Sequence, residues 1–299
     1  MKKHDVFKYA AAAAVAVLTI LTAGCKSAPA AAPEIHVNPL DLLDNDSTFY
    51  MSIPAATDYE LVSHVLMSQV NGLSESDAGQ IAHHVDTIYA GLIRNRDGTQ
   101  IQAACSCSVP KIAVSKMMSK KNGWTETRLA FPKDGQKEIP YTFYTSKDGM
   151  KIAFPSTETA CVGRGVENML AQYNGIVTGS LPESPLDKDL YSWLGEKSEQ
   201  IRFYANTPQS FLTILTGANL NFKLFYARGF MVTDPKDTEE YLLTLEFDFR
   251  EIKMIPAAEG MLSLAFGLTD SQMVEVSPSH LMVSGIKIDK KQLYKLLSL

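Results

Sequence analysis

The sequence predicts an α+β protein built from two similar halves, each a mostly antiparallel sheet with amphipathic helices packed on one face. Three observations support this class. Apolar residues alternate strictly with polar ones over residues 243–249, as in a strand with one buried and one solvated face. Apolar residues recur at helical spacing after the predicted strands. Residues 97–110 also align with residues 237–250 without a gap, which suggests an internal duplication.

Each half opens with an aromatic pair followed by a proline, which predicts strands over 49–54 and 203–208. A helix follows in each half. Thr57 and Glu60 have the spacing of a capping box, and Pro208 suits a first helical turn. Ser74 predicts the start of an extra helix in the first half.

The remaining elements also occur in pairs, apart from one additional strand over 124–131 in the first half. The predicted pairs are strands at 87–91 and 224–229, helices at 112–118 and 256–266, strand–turn–strand units at 152–163 and 274–285, and closing helices at 166–170 and 289–297. The resulting division is a signal peptide (1–24), a tether (25–44), a first half (45–175), a linker (176–198) and a second half (199–299).

The N-terminus has the pattern of an export signal. Lys2, Lys3 and Lys8 precede an apolar run that is too short to span a bilayer, and Leu21-Thr22-Ala23-Gly24-Cys25 follows. Small residues fit a peptidase cleft, and a cysteine thiolate can accept a lipid. We therefore predict cleavage between Gly24 and Cys25.

This segment resembles the lipobox of bacterial lipoproteins, although Thr22 stands where an aliphatic residue is usual. The resemblance implies a diacylglycerol and an acyl chain, such as palmitate, on Cys25. It also implies that Lys26 favours the outer over the inner membrane. Two or more acyl chains anchor a protein stably, so membrane attachment through the lipid is expected.

Composition excludes some functions. Removal of the signal takes three lysines and one aspartate, which shifts the formal net charge from −5 to −7. An acidic body does not favour nucleic acid as a partner.

Cys105, Cys107 and Cys161 remain besides Cys25, and an odd number does not form a disulfide framework. Aligned apolar residues in the second half favour core packing for all three, with a disulfide from Cys161 to Cys105 or Cys107 left open.

No pattern of a catalytic or metal site is convincing. His83 and His84 are adjacent on a predicted helix and point about 100° apart, and His64 lies on another helix, so solvated positions are favoured over a metal site. Ser108 and Lys111 have S-x-x-K spacing, but Pro110 intervenes and the companion motifs are missing. We therefore expect no enzyme activity and no cofactor or metal.

Two predicted helices carry little charge, and their apolar residues are candidates for contact with lipid. These residues are Phe211, Leu212, Leu215, Met261, Leu264 and Phe266. Burial against the sheet would produce the same pattern.

The lipobox, the chain length and the repeated sheet-and-helix plan resemble treponemal outer-membrane lipoproteins that face the periplasm, one of which inserts amphipathic helices into the inner leaflet. This resemblance implies a non-enzymatic lipoprotein on the periplasmic face of the outer membrane, with a body that contacts lipid or the inner leaflet. The alternative is an anchored scaffold that binds another envelope protein through a sheet edge or an aromatic patch.

Overall fold

The computed structural model describes residues 35–69, 74–95, 98–109, 114–115, 117–133, 136–181, 184–196, 198–216, 222–268 and 272–297. Residues Val37–Leu299 belong to one compact unit. Gly24, Cys25 and most of the predicted tether lie outside the described residues, so the predictions for them stay predictions.

A single antiparallel sheet of twelve strands forms the body, in the order β11-β12-β10-β9-β8-β1-β2-β3-β7-β6-β5-β4. The strands are β1 Phe49–Pro54, β2 Val85–Asn95, β3 Gly98–Cys107, β4 Thr125–Lys133, β5 Gln136–Thr145, β6 Lys151–Ala153, β7 Thr159–Gly163, β8 Ile201–Ala205, β9 Leu224–Asp234, β10 Asp237–Phe249, β11 Met273–Ser277 and β12 His280–Asp289. The α+β class predicted from the sequence is confirmed.

The described residues contain seven α-helices. They are α1 Tyr59–Gln69, α2 Glu75–Ala82, α3 Val166–Thr178, α4 Lys188–Gly195, α5 Pro208–Thr216, α6 Ile255–Phe266 and α7 Lys290–Leu297. The predicted helix at 112–118 is described only in part, and Val114, Ser115 and Met117 are helical there.

The first-half strands and the second-half strands meet where β1 pairs with β8, with Tyr50 opposite Tyr204. From this junction outward, the order β8-β9-β10-β12-β11 matches the order β1-β2-β3-β7-β6. The matched strands are the ones that align in sequence, and a duplicated unit would have this arrangement. Duplication itself stays a prediction. The hairpin of β4 and β5 has no counterpart, and β5 was not predicted.

The helices do not all lie on one face of the sheet, as the sequence had suggested. Neighbouring residues of a strand point to opposite faces, and on β1 Met51 and Tyr50 belong to two different core clusters. Buried residues of α1, α2, α5, α6 and α7 join the cluster of Met51, whereas α3 and α4 join that of Tyr50. The cluster of Met51 contains residues of both halves, so the halves share a core.

Three local predictions need correction. Residues 37–44 are not tether, because Leu40, Leu42 and Leu43 are buried in the core. The predicted linker 176–198 contains α4, whose Leu190 and Leu194 are also buried. The third prediction is the cap of α1, which is not Thr57.

Candidate functional site

The exposed face of α6 is the strongest candidate for a functional surface. Pro256 lies in the first turn, and Gly267 ends the helix with a left-handed backbone, φ 64°. Ile255, Ala258 and Leu262 are buried against the sheet. Their spacing of three and four residues fixes which side of the helix faces outward.

That outward side is apolar, which is unusual for an exposed helix. Leu264 is 88% exposed and Met261 is 39% exposed. Ala257 and Ala265 are exposed beside them, and Glu259 is the only charged residue of the helix. Ile252, just before the helix, adds another exposed apolar side chain. Isolated exposed apolar residues are ordinary, but a continuous apolar helix face indicates a binding surface.

The other candidates for lipid contact are placed differently. Phe211 of α5 stacks on Phe49 and Phe203, with ring centroids 5.6 and 5.0 Å away. Phe266 is partly buried against the same core. Leu212 is fully buried, so its assignment as a lipid contact is wrong for this conformation, because the sheet already covers it. The side chain of Leu215 lies outside the described residues.

The cysteines are unpaired thiols, and His64 packs against an aromatic ring. Cys105, Cys107 and Cys161 are free thiols, and the last two are buried, as the core prediction expected. Burial raises the pKa of Cys161 to about 12. His64 stacks on Tyr294 with a centroid distance of 4.5 Å. Over the described ranges, no three metal-binding side chains come together in a group that could hold an ion.

A buried ionic cluster was not predicted from the sequence. Asp58 lies at the N-terminus of α1, and its Oδ2 is 2.8 Å from the Lys290 Nζ at the start of α7. The Tyr241 hydroxyl of β10 donates a hydrogen bond to the same oxygen. The cluster therefore connects α1 of the first half to β10 and α7 of the second half. Asp58 and Lys290 are 232 residues apart in the sequence, and no local pattern relates them.

The cluster also corrects the predicted start of α1. Asp58 Oδ1 accepts the Leu61 N–H at 2.9 Å and so acts as the N-cap. Thr57, the predicted cap, donates its hydroxyl hydrogen to the Glu199 carbonyl at 2.7 Å. Burial by itself would raise the pKa of Asp58, but hydrogen bonds from Lys290, Tyr241 and Leu61 outweigh it and lower this pKa. The carboxylate is therefore held in its charged form.

Among the described residues, no helix has both the length and the apolar character needed to cross a membrane. An exposed apolar helix face of the kind found on α6 is suited to a lipid surface or to a protein partner.

Comparison with known proteins identifies the family. A family model described as "Outer membrane-associated lipoprotein TP0453" matches residues 34–294. The chain belongs to the TP0453 lipoprotein family. No curated protein matches the chain.

Solved structures of TP0453 share the fold. Crystal forms I and III each have a TM-score of 0.65 with this chain, and form IV has 0.62. Each is 18% identical in sequence and covers 88% of this chain, while 97–98% of the TP0453 chain is covered. Membership of the TP0453 family confirms the prediction of a lipid-anchored lipoprotein of the cell envelope, associated with the outer membrane. It also confirms the treponemal resemblance of the body. The lipidation of Cys25 stays a prediction.

Proposed function

We propose that this protein is a non-enzymatic lipoprotein on the periplasmic face of the outer membrane, whose folded body contacts the inner leaflet through α6. The observation that carries the proposal is the apolar outward face of α6, with Leu264 almost fully exposed. Acyl chains on Cys25 supply the attachment, and α6 orients the body against the lipid.

The expected strength of this contact follows from the exposed side chains. Transfer of one leucine or methionine side chain out of water contributes roughly 1.5–3 kcal/mol when it is complete. Leu264 is nearly fully exposed and Met261 is less so, and together they supply about 2–4 kcal/mol. That corresponds to a dissociation constant of roughly 1 mM to tens of millimolar. The contact is thus too weak to hold the body alone but sufficient to orient an anchored one.

Liposome flotation of residues 27–299 tests the proposal, because this chain contains the whole compact unit but lacks Cys25. Neutral phosphatidylcholine vesicles at millimolar lipid are the probe. We expect a minor floating fraction that salt does not remove, since the contact is apolar. Leu264→Asp should abolish it. Val274→Asp is the matched control, because Val274 is 47% exposed but, as the strand neighbour of Met273, points to the opposite face of the sheet.

Two results would count against the proposal. One is no flotation of the native chain at any lipid concentration or composition. The other is equal flotation of the Leu264→Asp variant, which would place the contact elsewhere. Either result would favour the second candidate, an anchored scaffold for another envelope protein. The exposed outer strands of the sheet, β4 and β11, are the observation that supports that candidate.

A further inference from the structure

The two ends of the sheet are both exposed strands. The outer edge of β11 and the outer edge of β4 pair with no strand among the described residues. An open edge presents unpaired N–H and C=O groups, and it is a template for another strand. Proteins usually protect such edges, so two uncovered edges on one sheet need an explanation.

The strand directions make the two edges compatible with each other. Every neighbouring pair in the sheet is antiparallel, and the sheet has an even number of strands, twelve. The strands β11 and β4 therefore point in opposite directions. If a second copy is set beside the first with the same face upward, its β11 meets β4 of the first copy in the antiparallel sense.

The side chains of the two edges also match, face by face. Met273 packs against the core on the side of α6, so alternation places Glu275 on that side and Val274 on the other. A β-bulge between Glu275 and Ser277 interrupts the alternation beyond Glu275. On β4, Leu129 and Phe131 pack against the opposite core cluster. Alternation therefore puts Thr127 beside them.

Arg128, between Thr127 and Leu129 in sequence, then points to the side of α6. An antiparallel register with Arg128 opposite Glu275 also sets Leu129 opposite Val274. One face then carries a charge pair and the other carries an apolar pair, and cross-strand pairs of both kinds stabilise a sheet.

The charges favour this pairing over β11 with itself. Glu275 makes no ion pair with any other described side chain. Arg128 contacts only Glu126 of its own strand, at 3.1 Å and in an exposed position. Full self-pairing of the five residues of β11 would put Glu275 opposite Glu275, and like charges directly opposite destabilise a sheet.

We propose that copies of this protein associate head to tail, β4 of one copy pairing with β11 of the next, to continue the sheet from molecule to molecule. The occupant of each edge is thus a second copy of the chain. A contact of this kind is heterologous and gives open chains of molecules. Two paired five-residue strands bury less surface than the roughly 1,200 Å² of a stable complex. Association in solution is therefore weak, with a dissociation constant on the order of 0.1–1 mM.

Confinement of anchored molecules to one membrane surface raises their local concentration into that range. This assembly uses the two ends of the sheet and not Leu264 of α6, although Glu275 lines the same cavity as Pro256 at the start of that helix.

Sedimentation equilibrium of residues 27–299 tests the proposal by charge reversal. We expect the average mass of the native chain to rise continuously with protein concentration up to about 1 mM. Arg128→Glu and Glu275→Arg should each weaken association at least about fivefold, because like charges then face each other. The chain carrying both changes should associate as the native chain does, since the pair is restored in reverse. Both residues are exposed, so neither change disturbs the core.

A second measurement traps the register directly. A chain with Leu129→Cys mixed with a chain with Val274→Cys should form a disulfide-linked heterodimer on mild oxidation, whereas Leu129→Cys mixed with Ser279→Cys should not. The proposal is overturned if the native chain stays monomeric to about 1 mM, or if both single charge reversals associate normally. It is also overturned if Arg128→Glu has no effect while Glu275→Arg alone alters association, because that would mean β11 pairs with itself.

Discussion

Replacement of Lys290 by methionine should destabilise the body strongly, because it leaves the Asp58 carboxylate buried without its cation. In the Asp58–Lys290 pair the two side chains are only 3% and 13% exposed. Breaking a buried pair by removal of one partner costs about 3–5 kcal/mol. Asp58 keeps hydrogen bonds from Tyr241 and Leu61, so we expect a loss at or below the lower limit of that range, about 2–3 kcal/mol.

Thermal unfolding of residues 27–299, followed by circular dichroism, measures this cost. A loss of about 2–3 kcal/mol lowers the Tm of a domain of this size by roughly 5–8 °C. Lys223→Met is the matched control, because Lys223 pairs with Glu251 but is 60% exposed. An exposed pair contributes about 0–1 kcal/mol. Equal Tm values for Lys223→Met and Lys290→Met would refute the reasoning.

The pH dependence supplies an independent check. The folded-state pKa of Asp58 is lowered from its ordinary value of 3.8, so its contribution to stability is complete above pH 3.8. That contribution is lost as the pH falls through the lowered folded-state pKa, because the protonated carboxyl no longer needs Lys290. The difference between the native chain and Lys290→Met should therefore be large at pH 7 and shrink below about pH 3.8. A difference that stays constant down to pH 2 would mean that Lys290 acts through packing alone.

Three further outcomes are expected. Leu212→Ala should cost about 2–5 kcal/mol in urea unfolding because Leu212 is fully buried, whereas Leu264→Ala should stay within about 0.5 kcal/mol; equal effects would contradict the assigned faces. Burial raises the pKa of Cys161 to about 12, so this thiol should resist iodoacetamide at pH 8 until urea unfolds the chain. Mass spectrometry locates the label, and rapid labelling of Cys161 in the folded protein would contradict its burial. Gly163→Ala should unfold at markedly lower urea, because a Cβ there would lie 2.2 Å from the Ile101 carbonyl oxygen at a φ of +94°, whereas Gly149→Ala meets no neighbour and should cost less.

Local sequence patterns predicted most of the strands because their signals are local. Leu243, Leu245 and Phe247 alternate with polar residues, and this period predicts a strand with one buried face from the local sequence alone. The N-cap of α2 was predicted for the same reason, since Ser74 and the Asp77 N–H it binds are only three residues apart. Topology followed in part, because the aligned segments of the halves occupy matching positions in the sheet.

Contacts between residues that are far apart in the sequence could not be predicted from local patterns. The choice of Asp58 rather than Thr57 as the cap of α1 depends on Tyr241 and Lys290, which approach only in the folded chain. The core positions of Leu40 and Leu43 were missed because the neighbouring Ala/Pro segment suggested a tether that extended too far. The side of the sheet that each helix covers is likewise decided by long-range packing.

The exposure of the candidate surface could not be predicted from the local sequence either. Leu212 and Leu264 have similar local sequences, and both lie on weakly charged helices, yet one is fully buried and the other is 88% exposed. A pattern of apolar residues predicts how much apolar surface a helix has, but how much of that surface the sheet covers depends on tertiary packing. On α5 the sheet covers Leu212 and the rings of Phe49 and Phe203 cover Phe211. On α6 the buried residues are Ile255, Ala258 and Leu262, and the outward side is left for another surface. The lipid-contact hypothesis therefore rests on α6 alone, and its decisive residue is Leu264.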